Sequence, residues 1–223
     1  MAETDKKQQL VDCIRMLERA DYIDHNGHCS IRRDATSLYI NTGASIRSSL
    51  TTDDIVAIDL DGNLVEGEAR PPLEFYMHSE IMRARPDVNA VVHTHPKWST
   101  FLTMTGHSLR PVYAQGVLVA DSQLLDTPMS VNTREMGERL AASLGNKFTV
   151  LLKAHGVVAA GRDMLECFAL AAYVEENAHR QYMAMQIGTP YEFSAEEQEA
   201  CREKLWKPGL FQKTWDYYYS KLT

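Results

Sequence analysis

Two histidines separated by one residue end an apolar stretch near the middle of the chain. His93 and His95 follow the run Ala-Val-Val at 90–92, and Pro96 comes directly after them. Because a β-strand places residues i and i+2 on the same face, both imidazoles project from one side of the strand end. Neutral imidazole is a common ligand of zinc and related divalent metals. The pair is therefore a candidate for binding one divalent cation.

A third histidine strengthens this interpretation. His155 follows another apolar run, 148–152, and precedes Gly156. An isolated H-x-H is common by chance, and such pairs are more often surface or core histidines than ligands. A second unit of strand, histidine and glycine favours a metal, because two strand-end histidines plus one more give the ligand count of an open catalytic site. The sequence therefore predicts a metalloenzyme with His93, His95 and His155 as ligands.

Composition limits the kinds of partner that the protein can have. The chain has 223 residues, 44% hydrophobic and 24% charged, which is typical of a globular protein. Its formal net charge of −7 argues against nucleic acid or an anionic membrane surface as a partner, so we expect a small-molecule substrate. The four cysteines form no C-x-x-C pair, and neither a secretory signal nor a membrane span is recognisable. We expect a reduced, cytoplasmic protein.

Periodicity places these histidines in an α/β fold. Strands are predicted at 28–33, 37–41, 55–60, 148–154 and up to Gly161, besides the H-x-H strand, and Tyr113 is placed in a further strand-like piece. Helices are predicted at 3–20, from Pro71 through Arg85, after 132–135 up to Gly145, at 163–187, and at about 194–206 and 209–221. This order predicts one α/β domain over residues 1–223 with a mixed or antiparallel sheet. Neither G-x-G-x-x-G nor G-K-[ST] occurs, so a nucleotide site is unsupported.

The order of the motifs is more specific than any one of them. In sequence they are Asn26-Gly27-His28-Cys29-Ser30, Thr42-Gly43, Pro72-Leu73-Glu74, Val91-Val92-His93-Thr94-His95, Tyr113 and Lys153-Ala154-His155-Gly156. This series covers nearly the whole chain and resembles the class II aldolase/adducin family, which includes fuculose-phosphate aldolase and ribulose-phosphate 4-epimerase. The resemblance implies a three-layer α/β/α domain around a mostly antiparallel sheet. It also implies a homotetramer with active sites between neighbouring subunits.

The resemblance also implies roles for individual residues. His93, His95 and His155 would hold one divalent ion per chain; we expect zinc, with manganese and cobalt as alternatives. Glu74 matches the catalytic carboxylate, which approaches the metal at rest and acts as acid and base in turnover. Tyr113 matches a tyrosine that helps to protonate the departing fragment. One of the C-terminal tyrosines Tyr217, Tyr218 and Tyr219 would reach the neighbour's site.

The residue types fit carbon–carbon bond cleavage independently of the resemblance. A divalent ion chelated by a carbonyl and an adjacent hydroxyl oxygen acts as a Lewis acid and stabilises the enediolate left when the bond breaks. Three neutral histidine ligands leave the ion its full positive charge. Glu74 could then move protons, provided that burial raises its pKa toward the working pH. The alternative for Glu74 is a solvated charge on a helix face.

The chain departs from the phosphosugar enzymes of that family where they bind phosphate. Those enzymes use an Asn in the first loop, a Thr-Gly pair and two serines before the catalytic Glu. Thr42 and Gly43 are present here, but His28 stands at the Asn position, and Pro72 and Leu73 replace the serines. Proline has no N–H and neither side chain carries a hydroxyl. We therefore expect an unphosphorylated substrate.

His28 and Arg47 could bind a carboxylate instead, since charge-assisted donors suit either anion. A histidine in this loop resembles the decarboxylase branch of the family, although His28 could equally be a hydrogen-bonded loop histidine without a ligand. We therefore expect a metal-dependent carbon–carbon lyase acting on a hydroxy-acid or hydroxy-carbonyl compound. Decarboxylation is favoured over retro-aldol cleavage. A 4-epimerase, a dehydratase and a non-catalytic adducin-like module are further alternatives, and the last would lack the metal histidines.

Overall fold

Short apolar runs form one eight-stranded sheet at the centre of the molecule. The computed structural model describes residues 3–222. The strands in this range are β1 His28–Arg32, β2 Ser37–Asn41, β3 Ile55–Asp59, β4 Leu64–Glu66, β5 Ala90–Thr94, β6 Gln123–Leu125, β7 Thr149–Leu152 and β8 Gly156–Gly161. They lie in the order β4-β3-β2-β1-β5-β8-β7-β6, so two three-residue strands form the edges. Every neighbouring pair is antiparallel except β6 and β7, which confirms the predicted mostly antiparallel sheet.

Helices cover both faces of this sheet. Those of the described residues are α1 Glu3–Arg19, α2 Phe75–Ala84, α3 Lys97–Met104, α4 Arg134–Leu144, α5 Met164–Ile187, α6 Ala195–Leu205 and α7 Pro208–Tyr219. Three short 3₁₀ segments lie at Arg47–Ser49, Thr52–Asp54 and Ala114–Val119. No helix within residues 3–222 is both long enough and apolar enough to cross a membrane.

Two apolar cores lie on opposite faces of the sheet. Successive side chains of a strand point to opposite faces, and β5 divides its residues accordingly. Val92 packs into the core that contains residues of α1 and α5, and Val91 into the core that contains residues of α2 and α4. Both valines are fully buried. The predicted arrangement of helices, sheet and helices is therefore present, and it buries the central strands on both faces.

The loop before α2 differs from the sequence prediction. The predicted helix begins at Pro71, whereas α2 begins at Phe75 and the residues from Pro71 to Glu74 form a loop and turn. A residue that precedes proline is biased away from the helical region, which disfavours a helical start at Pro71. As a consequence Glu74 occupies the N-cap position of α2 instead of lying on a helix face.

Tyr113 was also predicted in the wrong kind of element. Its backbone is extended, with φ −149° and ψ 164°, but it pairs with no strand among residues 3–222. It stands at the N-cap position of the 3₁₀ segment Ala114–Val119. Val112 and Tyr113 are residue types that are enriched in strands, which explains the prediction.

Candidate metal centre

The strand β5 and the turn between β7 and β8 bring the three predicted metal histidines together. His93 is the fourth residue of β5, and His95 follows directly after this strand. His155 lies in the turn that joins β7 to β8. Because β8 pairs with β5, with Val157 opposite Thr94, this turn lies beside the end of β5. Glu74, at the start of α2, completes the cluster.

The distances within the cluster suit one metal ion. The Nε2 atoms of His93 and His95 are 2.9 Å apart. Glu74 Oε2 lies 3.7 Å from His93 Nε2, and its Oε1 lies 3.8 Å from His155 Nε2. All four ligand atoms lie within 4.8 Å of one another. Two nitrogens at about 2.0–2.1 Å from a shared zinc ion are themselves about 2.9–3.4 Å apart at ligand angles near 90–109°.

Hydrogen bonds on the far side of two rings leave their Nε2 atoms free to bind a cation. His93 Nδ1 lies 3.0 Å from the carbonyl oxygen of Val157, and His95 Nδ1 lies 3.1 Å from Asp24 Oδ1. Both partners can only accept, so each Nδ1 carries the proton and each Nε2 presents a lone pair. Two lone pairs facing each other repel unless a cation lies between them. The donor set therefore fits a divalent ion.

A strained turn orients His155. Ala154, directly before it, has φ +51°, a left-handed conformation that is uncommon for residues other than glycine. The N–H of Ala154 donates to Thr103 Oγ1 at 3.0 Å, which holds the turn against α3. The Nδ1 of His155 is buried and has no hydrogen-bond partner within residues 3–222. Its Nε2 is the ring nitrogen directed at Glu74.

Two donors hold the carboxylate of Glu74 in place. Ser130 Oγ donates to Oε1 at 2.7 Å, and the backbone N–H of Val131 donates to the same oxygen at 3.0 Å. Burial raises the pKa of Glu74, but the nearby His28 and His93 and the hydrogen bond of Ser130 outweigh it and hold this pKa well below its usual range. The condition stated for proton transfer, a pKa of Glu74 raised by burial, is therefore not met. Glu74 is an ionised, largely buried carboxylate that can contact a cation.

Three of the four predicted substrate-binding residues line one cleft beside this cluster. The cleft has a volume of about 470 Å³, and its wall includes His28, Gly43, Arg47 and the loop 71–74. Thr42 is buried directly before Gly43. Leu73 is 80% exposed, which places an apolar side chain at the cleft's entrance. The cleft therefore combines cationic, imidazole and apolar groups.

Arg47 brings a buried positive charge to the cleft. Its Nε donates to the carbonyl oxygen of Gly27 at 2.9 Å, and its Nη1 donates to carbonyl oxygens of Thr42 and Ser45. Its Nη2 donates to none of the residues that the structure describes, and no carboxylate among them forms an ion pair with it. A buried guanidinium with a free N–H group and no ion pair can bind an anion.

Tyr113 is not brought to the metal cluster. It lines a separate cleft of about 680 Å³ together with Tyr217 and Tyr218, and Tyr219 does not contribute to this wall. The guanidinium of Arg180 lies 4.5 Å from the centre of the Tyr113 ring. Burial raises the pKa of Tyr113, so that the phenol stays protonated.

Several residues of the site were not identified from the sequence. Asp24 fixes His95, and Ser130 and Val131 fix Glu74, yet all three lie in loops without periodicity or a motif. The position of His78 in the sequence does suggest a place near the site. His78 follows Glu74 by four residues, and in the structure its buried ring contacts His28.

Comparisons with known proteins agree with this geometry. Residues 8–182 match the family described as Class II Aldolase and Adducin N-terminal domain. The chain is 34% identical over 182 residues to a 5-methylthioribulose-1-phosphate/5-deoxyribulose-1-phosphate aldolase of Rhodospirillum rubrum, covering 80% of each chain. It is 31% identical over 163 residues to a 3,4-dihydroxyphthalate decarboxylase of Arthrobacter keyseri, covering 67% of this chain and 66% of that one. A solved L-fuculose 1-phosphate aldolase superposes with a TM-score of 0.84 and 28% identity over 93% of this chain and 99% of that one.

Proposed function

Because this chain belongs to the class II aldolase and adducin family, we propose that it is a carbon–carbon lyase that depends on a divalent metal. One observation carries the proposal: three histidine side chains and the Glu74 carboxylate place their ligand atoms within 4.8 Å of one another. The hydrogen bonds to Val157 and Asp24 leave two of these imidazoles with Nε2 lone pairs directed into the cluster. A non-catalytic module has no use for such a donor set.

We assign the metal ligands to His93, His95 and His155, with zinc as the ion, since imidazole and carboxylate donors suit it; manganese and cobalt are alternatives. When bound, the ion would act as a Lewis acid toward an oxygen of the substrate and favour negative charge there. Glu74, held by Ser130 and Val131, is positioned to take a proton from a substrate hydroxyl group.

The groups around the cleft favour an unphosphorylated substrate with a carboxylate. Arg47 offers its Nη2 group, and His28 offers a ring nitrogen to an anionic oxygen. A phosphate group would find few backbone donors here, because the N–H of Gly43 already donates to the carbonyl oxygen of Arg70 at 3.1 Å, and Pro72 has no N–H. We therefore propose decarboxylation of a small hydroxy acid. In that reaction the bond to the carboxyl carbon breaks, carbon dioxide leaves and the remaining carbon takes up a proton.

Retro-aldol cleavage of a sugar phosphate is the second candidate. Two of the relatives named above are sugar-phosphate aldolases, and Thr42 and Gly43 keep the residue types of the phosphate-binding pair. The metal cluster and Glu74 serve both reactions equally. The two reactions differ in the anionic group of the substrate that Arg47 and His28 would bind, which is a carboxylate in decarboxylation and a phosphate in retro-aldol cleavage.

We further propose that the active protein is a homotetramer in which a neighbouring subunit completes each site. Tyr113 faces its own cleft with Tyr217 and Tyr218 rather than the metal cluster of the same chain. A phenol kept neutral by burial can donate a proton. Docking of that cleft against the metal cleft of another copy would bring Tyr113 and one C-terminal tyrosine to the substrate.

Metal analysis tests the ligand assignment. The purified protein, loaded with zinc and freed of excess ion, should contain about one zinc ion per chain. Substitution of His93→Ala or His155→Ala should abolish this content, whereas His107→Ala, in an exposed turn, should not change it. Full zinc content in the first two variants would contradict the assignment.

A product screen tests the reaction. Release of carbon dioxide from a hydroxylated aromatic acid supports decarboxylation, and release of an aldehyde from a sugar phosphate supports the second candidate. Glu74→Gln should retain zinc but lose turnover by a factor of about a hundred or more, as removal of a general acid or base typically does. Unchanged turnover would remove Glu74 from the mechanism.

A further inference from the structure

A line of three buried polar side chains leads away from the metal cleft into the protein. His28 and Ser30 lie on the same face of β1, two residues apart, and His78 reaches them from α2. His28 Nδ1 lies 2.6 Å from His78 Nε2, and His78 Nδ1 lies 2.7 Å from Ser30 Oγ. His78 and Ser30 are fully buried, and His28 is 3% exposed. At its outer end, His28 Nε2 lies 3.6 Å from Glu74 Oε2.

The chemistry of the two ends sets the direction of these hydrogen bonds. An ionised carboxylate only accepts, so the His28 nitrogen that faces Glu74 carries a proton. A neutral imidazole has one N–H, and burial of both rings favours the neutral form. The Nδ1 of His28 must then accept, so His78 Nε2 donates to it. The Nδ1 of His78 accepts in turn from the hydroxyl of Ser30, which can donate to any acceptor in reach.

The opposite direction fails at the outer end of the line. If His28 donated from Nδ1, its Nε2 lone pair would face the carboxylate of Glu74, and two acceptors would oppose each other. Reversal would also require His78 to donate to Ser30. Nothing in the cluster favours that arrangement over the first one.

We propose that His78, held by Ser30, is a positioning residue that fixes His28 in the tautomer with its proton on Nε2. This inference rests on the proposed placement of His28 in the substrate cleft. At 3.6 Å from Glu74 Oε2 this N–H is not hydrogen-bonded to the carboxylate. The cleft then presents a free imidazole N–H beside the metal cluster, and that donor recognises an acceptor oxygen of the substrate, such as a carboxylate oxygen. His78 does not touch the substrate; it acts through His28.

A histidine at position 28 can present one defined group to the substrate. The amide of a glutamine in place of His28 could rotate and present either its NH₂ donor or its carbonyl acceptor to the substrate. An imidazole whose Nδ1 accepts a hydrogen bond presents only a donor, its Nε2–H, toward the substrate. With Arg47 Nη2 as the second donor, the cleft offers two N–H groups for one anionic group.

Nitrogen-15 NMR of the zinc-loaded full chain with labelled histidine tests the tautomer directly, because the ring nitrogens with and without a proton resonate far apart. Loss of signals in His28→Gln assigns the ring. We expect the His28 proton on Nε2, and in His78→Leu we expect a mixture of tautomers at His28. A proton on Nδ1 of His28 in the unchanged protein, alone or with one on Nε2, overturns the proposal. An unchanged His28 tautomer in a folded His78→Leu variant overturns the positioning role.

Kinetics with the substrate found in the product screen give a second readout. The variant His78→Leu should raise KM about tenfold and change kcat less than about threefold, since it weakens substrate binding rather than the bond-breaking step. His78→Gln places an amide N–H near the position of Nε2 and should restore KM to within about threefold of the original. A His78→Gln variant that folds, binds zinc and yet matches His78→Leu contradicts the donor role.

Ser30→Ala should raise KM about threefold. Ser79 is also fully buried but lies outside the line of hydrogen bonds, so Ser79→Ala should leave KM unchanged. Equal effects of the two serine variants would indicate a packing defect and overturn the role of Ser30. The NMR measurement needs no substrate. Absence of lyase activity would therefore refute the proposed function while the tautomer result still decides this inference.

Discussion

Gly156 allows the close approach of β5 and β8, and the three proposed metal histidines lie at the adjoining ends of these strands. A Cβ atom at this position would lie 2.1 Å from the carbonyl oxygen of Thr94 and 3.1 Å from Cδ2 of His95. The first contact is with backbone, which cannot rotate away as a flexible side chain can. Gly156→Ala therefore requires the start of β8 and the end of β5 to separate by about 1 Å, since ordinary contacts begin near 3 Å.

The cost of this separation can be worked out from the contact. Overpacking of a well-packed interior typically lowers the free energy of unfolding by about 1–3 kcal/mol. We expect Gly156→Ala to lower it by about 3 kcal/mol, because backbone must move. For a chain of this length that corresponds to a fall in Tm of roughly 6–12 °C. The same shift moves His155 relative to His93 and His95. We expect zinc affinity to fall by about tenfold or more, as it does when groups supporting a ligand are lost.

Two measurements separate these effects. Thermal unfolding of the metal-free protein reports the packing cost, and competition with a chelator reports the zinc affinity. Gly209→Ala is the matched control, because a Cβ there meets nothing within 4 Å and alanine favours the helix α7. If Gly156→Ala unfolds at the original temperature and binds zinc with the original affinity, the close approach of β5 and β8 is not needed for the metal centre.

Three further substitutions test the groups that surround the cluster. Asp24→Ala should lower zinc affinity by about 10–100-fold, and Asp24→Asn by less, in chelator competition; equal affinities would exclude support of His95. Arg47→Lys should lower the free energy of unfolding, measured in urea, by about 2–3 kcal/mol, because lysine cannot reach all the carbonyl groups that the guanidinium binds. An unchanged free energy of unfolding would show that these hydrogen bonds do not stabilise the fold. Ser130→Ala should lower kcat about three- to tenfold at unchanged zinc content, and an unchanged kcat would mean that the N–H of Val131 orients Glu74 alone.

Much of the fold could be predicted because apolar runs in this chain are bounded by glycine and proline. The β5 and β8 strands, for example, were both predicted from such runs. The helix α3 was missed, since it begins directly after Pro96 and buries polar residues such as Ser99. Its first turn is capped from a distance: Glu175 accepts hydrogen bonds from the N–H groups of Trp98 and Ser99. A cap supplied by a residue more than seventy positions away leaves no local pattern.

The candidate site could be predicted where residue type alone suggests chemistry. Three histidines and Glu74 were named from the sequence, and the structure brings them together. The protonation of Glu74 was not predictable, because it depends on donors that loops supply from distant parts of the chain. The role of Arg47 also needed coordinates, since only they show which of its N–H groups are already bound.

The short outer strands of the sheet bear on how copies of this chain can assemble. Both β4 and β6 contain three residues, so each edge offers few free backbone groups to a strand of another molecule. Pairing between edge strands of different molecules, which leads to fibrous aggregates, is therefore poorly supported at both edges of the sheet. Subunits are expected to join through side chains of helices and loops. Contacts of that kind can be dissociated by introducing like charges while the sheet stays folded.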